Sequence, residues 1–95
     1  MPNTWLITGA SSDLGARIAL CVLHAGDIVI ACSRDIATAK EAFPAIERLR
    51  GTWLEIDVSQ DITERIVSEA VEIHQVNVLV NNAGVPIRGA IEDIS

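Results

Sequence analysis

A glycine- and serine-rich stretch at residues 8–15, Thr-Gly-Ala-Ser-Ser-Asp-Leu-Gly, carries the residues best suited to hold a ligand. Residues 4–7 before it are nearly all apolar and β-forming, as in a strand buried on both faces of a parallel sheet. The residues after it have apolar side chains at helical spacing: Leu14, Ile18, Cys21, Val22 and Ala25. A turn between a strand and a helix directs unpaired N–H groups and the helix dipole at one point. The stretch is therefore predicted to bind a pyrophosphate.

Individual residues of this turn have two alternative roles. Gly9 and Gly15 permit either the close approach of a phosphate or only tight packing of the helix on the strand. The hydroxyls of Ser11 and Ser12 either bond phosphate oxygens or cap the helix. Leu14 is expected to contact a phosphate through its backbone N–H, because such a turn exposes amides rather than side chains.

Asp13 is an unusual residue beside a phosphate, because its carboxylate would repel the ligand although it favours a helix N-terminus. It can instead point outward and pair with Arg17, four residues further along the helix. The outward pairing is the expectation favoured here, and the alternative is a weakened affinity for the phosphate ligand.

Three further strands are predicted at residues 27–33, 52–57 and 76–80. Helices are predicted at 36–43 with Asp35 as the cap, at 45–50 after a break at Pro44, and after a cap at Ser59 or Asp61. The buried stripe of the last helix is expected to be Ile62, Ile66, Ala70 and Ile73. Polar and apolar residues partly alternate in 52–57, which indicates a sheet edge. Right-handed crossovers then give an α/β, Rossmann-like parallel sheet with strand order 3-2-1-4.

A second motif, Asn81-Asn82-Ala83-Gly84, directly follows the fourth predicted strand. The turn at 8–15 does not fit G-x-G-x-x-G, but it resembles the T-G-x-x-x-G-x-G turn of the short-chain dehydrogenase/reductase family, with Asp13 in place of the middle glycine. It equally resembles the G-x-x-G-x-x-G turn of the extended branch of that superfamily, with Ser12 in the middle position. The Asn-Asn-Ala-Gly motif is similar to that of the classical branch and decides between the two.

This resemblance implies hydride transfer between a nicotinamide cofactor and an alcohol or carbonyl substrate. It also implies that Asp57 and Val58, at the end of the third strand, contact the adenine, although Asp57 would alternatively cap a turn. Asn81 and Asn82 would alternatively be turn residues only. The expected cofactor-binding residues are Gly9, Ser11, Ser12, Asp13, Leu14, Gly15, Ser33, Arg34, Asp57, Val58, Asn82, Ala83 and Gly84.

Ser33 and Arg34 follow the second predicted strand, about twenty residues after the glycine turn, where an acidic residue would bond the ribose 2′-hydroxyl of NAD. A small residue followed by Arg accommodates a 2′-phosphate, so NADP is expected in preference to NAD. The alternative is an exposed surface arginine. Asp35 opposes the NADP interpretation, but its capping role is expected to turn it away.

Composition sets limits on partners and location. The chain has 95 residues with a net charge of −6, which predicts one globular unit and argues against a general nucleic-acid or anionic-membrane surface. Its start has no signal-peptide pattern and no spanning segment, so a cytoplasmic location is expected. Cys21 and Cys32 lack metal-ligand spacing, and both are expected to be buried or half-buried thiols.

The sequence runs to residue 95, shortly after the fourth predicted strand, whereas such folds usually have about six strands. Residues 1–95 are therefore expected to form a single partial NAD(P)-binding domain. In the family, the catalytic Ser and the Tyr-x-x-x-Lys pair follow later, and this chain contains no tyrosine. Two alternatives to half of an enzyme stay open: a non-catalytic nucleotide-binding module, and a truncated product that self-associates through an exposed fourth strand.

Overall fold

Strands and helices alternate along the chain in the computed structural model, which describes residues 2–56 and 63–82. The elements are β1 (Thr4–Thr8), α1 (Asp13–His24), β2 (Ile28–Ser33), α2 (Ile36–Ala42), α3 (Pro44–Arg48), β3 (Thr52–Glu55), α4 (Thr63–His74) and β4 (Val78–Asn81). Helix α2 ends before Pro44 as predicted, and α3 begins at Pro44 itself, because proline lacks only an N–H that a first helical turn leaves unpaired.

The four strands form one parallel sheet in the order β3-β2-β1-β4, which confirms the predicted 3-2-1-4 topology. Leu6 in β1 lies opposite Ile30 in β2 and Leu79 in β4. Strand β3 is at the edge, as its partial alternation predicted. The carboxyl ends of β1, β2 and β4 consequently meet at one end of the sheet, where parallel sheets bind ligands.

Each face of the sheet has its own apolar core. Ile7 and Val29 pack with α1 and α3 on one face, whereas Leu6 and Ile30 pack with α4 on the other. Successive residues of a strand point to opposite faces, so strands covered on both sides must be apolar throughout. This explains the continuous apolar runs of β1 and β2.

The buried faces of α1 and α4 differ from the predicted stripes. Helix α1 buries Gly15, Ala16, Ala19, Val22 and Leu23. Leu14, part of the predicted apolar stripe, is 62% exposed, and Cys21 is exposed, which corrects the expectation of a buried or half-buried thiol. Small residues face the sheet in α1 because they let the helix approach β1 closely. In α4, Ala70 is buried as predicted and Ile66 is half-buried, but Ile73 is 74% exposed and Val67 is buried instead. Ile62, the first member of the predicted stripe, lies outside the described residues.

Cys32 is buried as expected, on β2. Burial raises the pKa of its thiol to about 12, because a thiolate would lose its hydration there. The thiol therefore stays protonated at neutral pH and acts as an apolar packing group.

Three helices end in the same motif, in which a left-handed residue closes the last turn. After α4, Val76 N–H donates to Val71 O at 3.0 Å, and Gln75 between them has a φ of 55°. The same pattern ends α1 at Gly26 and α3 at Arg50, with φ of 93° and 70°. Glycine is favoured at this position because a Cβ crowds the backbone there.

Replacing Gln75 with glycine is expected to stabilise the protein by about 0.5–1 kcal/mol. The change removes the energetic penalty of a left-handed backbone with a Cβ, and part of this gain is offset by the conformational entropy that glycine loses on folding. Thermal unfolding measures the change. Gln75→Ala keeps the Cβ and serves as the control, with no gain expected. A loss of stability in Gln75→Gly would show that the side chain, rather than the backbone, matters at this position.

The amino ends of the strands are tied together by side chains. Asn77 Oδ1 accepts from Thr4 N–H at 2.8 Å, and Asn77 Nδ2 donates to Asn3 Oδ1 at 3.0 Å. Asp27 accepts from Asn3 N–H at 3.2 Å and from Trp5 Nε1 at 3.0 Å. These bonds link β1 to β2 and β4 at the end of the sheet remote from the glycine turn. No helix in residues 2–56 and 63–82 combines the length and apolarity needed to cross a bilayer.

Candidate functional site

The glycine turn joins the carboxyl end of β1 to α1 and is shaped by its two glycines. Gly9 has a φ of 63°, a conformation that favours glycine. A Cβ on Gly15 would press into the Gly9 carbonyl oxygen and lie 2.9 Å from Ala10 Cα. Ala10 N–H donates to Cys32 O at 2.9 Å, which fixes the turn against β2. The first turn of α1 thus rests directly on the strand-to-helix connection.

Ser12 is the N-cap of α1. Its hydroxyl donates to Gly9 O at 2.9 Å and accepts from Gly15 N–H at 3.0 Å. Its extended backbone, with φ of −78° and ψ of 161°, is typical of a cap. Of the two roles expected for Ser12, the capping role is the one this structure displays.

The amides of Asp13 and Leu14 open α1, and the described part of the chain gives neither an acceptor. Such amides at the start of a 12-residue helix attract an anion, since the dipole and the N–H groups act together. Both side chains are exposed, so the amides are not covered by them. The turn therefore offers the backbone donors that the sequence predicted for Leu14.

Asp13 and Arg17 do not form the expected ion pair. Both residues are exposed. Among residues 2–56 and 63–82, the ion pair that forms joins Lys40 and Glu47 at 3.8 Å, and Asp13 and Arg17 take no part in it. Two solvated side chains gain little by pairing, because the Coulomb energy in water barely exceeds the entropy of fixing them. Asp13 is exposed, in agreement with the expected outward position, but it is not paired with Arg17.

Asn82, at the end of β4, holds the glycine turn in place. Its Nδ2 donates to Gly9 O at 3.1 Å and to Ser12 Oγ at 2.9 Å. The side chain thereby connects the Asn-Asn-Ala-Gly motif to the glycine turn, about seventy residues away in sequence. Asn81 lies one residue earlier, where its Oδ1 accepts from Thr8 Oγ1 at 3.2 Å. Asn82 is therefore more than a turn residue, because it supports the backbone of the glycine turn.

Replacing Asn82 with aspartate is expected to lower stability by about 1–3 kcal/mol and to weaken cofactor binding, because a carboxylate cannot donate to the Gly9 carbonyl and would repel it. Asn77→Asp is the matched control, since Asn77 makes the same number of side-chain bonds at the opposite end of the sheet. The control should lose stability and keep the cofactor affinity of the folded protein. Calorimetric titration and thermal unfolding separate the two effects, and equal affinities in the two variants would contradict the role of Asn82.

A pocket of about 300 Å³ lies beside the glycine turn, between the end of β2 and α2. It is lined by Ser11, Ser33, Arg34, Asp35, Thr38, Ala39 and Ala42. Ser33 is buried, and its hydroxyl donates to Ser11 Oγ at 3.1 Å. This bond joins the predicted phosphate turn to the predicted specificity position, so the two form one continuous surface.

Asp35 caps α2 as predicted but also lines the pocket, which corrects the expectation that its capping role turns it away. The backbone N–H and then the hydroxyl of Thr38 lower the pKa of its carboxyl group, because both donate to the ionised form. The pocket therefore contains one carboxylate and the exposed Arg34 side by side.

The remaining predicted site residues, Asp57, Val58, Ala83 and Gly84, lie outside the described residues. The proposed caps of α4, Ser59 and Asp61, lie outside them as well. Within the described ranges, no cluster of His, Cys, Asp and Glu could hold a metal ion.

Comparison with known proteins identifies the fold and its relatives. A family profile described as short chain dehydrogenase matches residues 3–95. Oxidoreductase claN of Passalora fulva is 48% identical over 96 residues, which span 100% of this chain and 44% of that protein. A short-chain dehydrogenase from Streptomyces avermitilis superposes with a TM-score of 0.73 and 35% identity, over 88% of this chain and 31% of that one.

A second solved structure is the bulky-bulky ketone specific alcohol dehydrogenase from Comamonas testosteroni. It superposes with a TM-score of 0.73 and 27% identity, over 93% of this chain and 38% of that enzyme. This chain spans less than half the length of each of these three proteins. The match to nearly the whole chain, together with the 3-2-1-4 sheet, shows that the protein belongs to the short-chain dehydrogenase family, whose members bind nicotinamide cofactors.

Proposed function

We propose that this chain binds NADP(H) and forms the cofactor-binding part of an NADP-dependent oxidoreductase. Such an enzyme moves hydride between the nicotinamide and an alcohol or carbonyl. The observation that carries the proposal is the continuous surface formed by the glycine turn and the Ser33–Arg34 pocket. A dinucleotide needs both a pyrophosphate site and an adenosine site at this spacing.

The glycine turn fits the pyrophosphate. The backbone N–H groups of Asp13 and Leu14 have no hydrogen-bond acceptor among the described residues. The backbone of Gly9 and Ala10 occupies the space that a Cβ on Gly15 would need, so α1 can begin this close to the turn only with glycine there. The side chains of Asn82 and Ser12 both donate a hydrogen bond to the Gly9 carbonyl and are bonded to each other, so they support the site. Ser11 lies at the junction with the pocket, where its hydroxyl can face a ligand.

The pocket favours a 2′-phosphate over a free 2′-hydroxyl. Ser33 stands where NAD-binding proteins place an acidic residue, and its hydroxyl brings no charge. Arg34 is exposed and has no ion pair among residues 2–56 and 63–82. A guanidinium binds a phosphate through parallel charge-assisted hydrogen bonds, which a ribose hydroxyl cannot replace.

The chemical step requires groups that this chain does not supply. The cofactor provides the hydride, but reduction of a carbonyl also needs a proton donor of suitable pKa near the developing alkoxide. The chain has no tyrosine, and its one lysine, Lys40 of α2, is paired with Glu47 of α3. We therefore propose that these 95 residues bind the cofactor without turning over a substrate on their own.

A non-catalytic nucleotide-binding module is the second candidate. It is supported by the lining of the pocket, which within the described residues includes no tyrosine, lysine or histidine that could transfer a proton. Self-association through β4 belongs to the other alternative, a truncated product, since within the described residues β4 pairs on one side only, with β1.

Titration of the purified chain with NADP⁺ and NAD⁺ by calorimetry tests the proposal. We expect NADP⁺ to bind at least about tenfold more tightly, the scale of one charge-assisted hydrogen bond. Absorbance at the NADPH band, with a panel of ketones and aldehydes, should show no consumption. Equal affinities would contradict the NADP preference, and turnover abolished by Gly9→Asp would contradict the absence of catalysis. Sedimentation of the same sample reports self-association.

A further inference from the structure

A carboxylate lies in the pocket proposed for the 2′-phosphate, and one residue holds both of its oxygens. Asp35 Oδ1 accepts from Thr38 N–H at 3.2 Å, and Asp35 Oδ2 accepts from Thr38 Oγ1 at 2.9 Å. Asp35, Thr38 and Arg34 all line this pocket. A carboxylate free to rotate there would neutralise the arginine and repel a phosphate. Its orientation therefore bears directly on which cofactor binds.

The guanidinium of Arg34 interacts electrostatically with this carboxylate but forms no ion pair with it. The pKa of Asp35 is lowered first by the N–H and hydroxyl of Thr38, then by the N–H of Ala37, and least by the guanidinium of Arg34. Nevertheless, Arg34 forms no ion pair in the described part of the chain, where the ion pair found joins Lys40 and Glu47. The two neighbouring side chains are thus kept apart although their charges attract.

We propose that Thr38 is a specificity-determining residue, because it holds the Asp35 carboxylate and so leaves Arg34 free to bind a 2′-phosphate. This inference rests on the NADP function proposed above and names a residue that sets its selectivity. Thr38 acts through Asp35 and is a positioning residue. Without its hydroxyl, Asp35 Oδ2 loses its donor and can turn to the guanidinium of Arg34.

Two small ligands isolate this effect from the rest of the cofactor. Adenosine 2′,5′-bisphosphate and adenosine 5′-monophosphate differ only in the 2′-phosphate, so the ratio of their affinities reports on the pocket alone. Thr38→Val removes the hydroxyl while keeping the shape and the backbone N–H that bonds Asp35 Oδ1. Thr38→Ser keeps the hydroxyl but lacks the methyl group, and it is the matched control. Asp35→Asn removes the charge.

Calorimetric titration of the 95-residue protein and its variants gives the test. Thr38→Val should weaken the bisphosphate about two- to fivefold, the scale of an exposed pair of charges, and leave the monophosphate unchanged. Thr38→Ser should match the parent, and Asp35→Asn should strengthen the bisphosphate. Thermal unfolding confirms that each variant is folded at the temperature of titration.

A double-mutant comparison distinguishes positioning from a structural role. If Thr38 acts through the Asp35 charge, adding Thr38→Val to Asp35→Asn should have no further effect on the ratio of affinities. The same loss in both backgrounds would overturn the inference, as would equal losses for both ligands. If the parent prefers the bisphosphate and Thr38→Val keeps the same preference, the inference about Thr38 is overturned while the NADP proposal stands. A parent that binds both ligands equally would overturn the NADP proposal together with it.

Discussion

Replacing Gly15 with alanine is expected to weaken cofactor binding at least about tenfold, although alanine is the better helix former. In an ordinary helix this change would stabilise by up to about 1 kcal/mol. Here the added Cβ meets the Gly9 carbonyl oxygen and lies 2.9 Å from both Ala10 Cα and Gly9 C. These are backbone atoms, so no side chain can rotate to relieve the contact, and α1 must move off the turn.

This displacement affects stability and binding together. Overpacking of this kind costs about 1–3 kcal/mol, and the shift breaks the bond from Gly15 N–H to Ser12 Oγ. The amides of Asp13 and Leu14 move with the helix, so affinity for NADP⁺ should fall by at least about tenfold, the effect of losing one strong hydrogen bond. Thermal unfolding and calorimetric titration measure both losses.

Gly26→Ala is the control for this experiment. Gly26 ends the same helix with a φ of 93°, and a Cβ there meets nothing within 4 Å. The variant should lose stability through backbone strain and keep its affinity for NADP⁺ when folded. An affinity in Gly15→Ala equal to that of the parent would show that the contact between α1 and the turn does not shape the binding site.

Ser33→Asp is expected to reverse the choice of cofactor. Ser33 is 5% exposed at the end of β2, and its hydroxyl contacts Ser11 Oγ and the N–H of Asp35. A carboxylate at this position would accept hydrogen bonds from the ribose hydroxyls of NAD and repel a 2′-phosphate. The change in relative affinity should be about 2–3 kcal/mol, a factor on the order of one hundred.

The ratio of NADP⁺ to NAD⁺ affinity is the quantity to measure, because general destabilisation cancels in it. Ser33→Asn adds a side chain of similar size without the charge. It should reduce the preference for NADP⁺ without inverting it. If aspartate and asparagine change the ratio equally, size rather than charge governs the pocket, and the electrostatic account of Ser33 is wrong.

The sheet was predictable because its signals are local and strong. Apolar runs and the glycine turn identify β1, β2 and α1, and the right-handed crossover rule then orders the strands. The face of α1 was not predictable by counting large apolar residues, because Ala16 and Ala19 make the contact with the sheet while Leu14 is left in solvent. In α4 the same rule failed at Ile73, whose exposure follows from its place near the helix end.

The relations within the candidate site depend on long-range contacts that no local pattern encodes. Ser33 and Ser11 are 22 residues apart, and Asn82 and Gly9 are 73 apart. The sequence predicted a set of candidate site residues, but the contact of Asn82 with the glycine turn and the place of Asp35 in the pocket required the fold. Thr38 carried no sequence signal, since a threonine in the first turn of a helix is common.

The central claim is that one NADP molecule lies across the glycine turn and the Ser33–Arg34 pocket. Titration of the ¹⁵N-labelled chain with NADP⁺, followed by amide NMR spectra, tests it most directly. The account predicts the largest shifts at the amides of Ser11, Asp13, Leu14 and Arg34, with little change at Asn3 and Asn77 across the sheet. Shifts confined to the Asn3–Asn77 end, or an absence of shifts at millimolar NADP⁺, would contradict it.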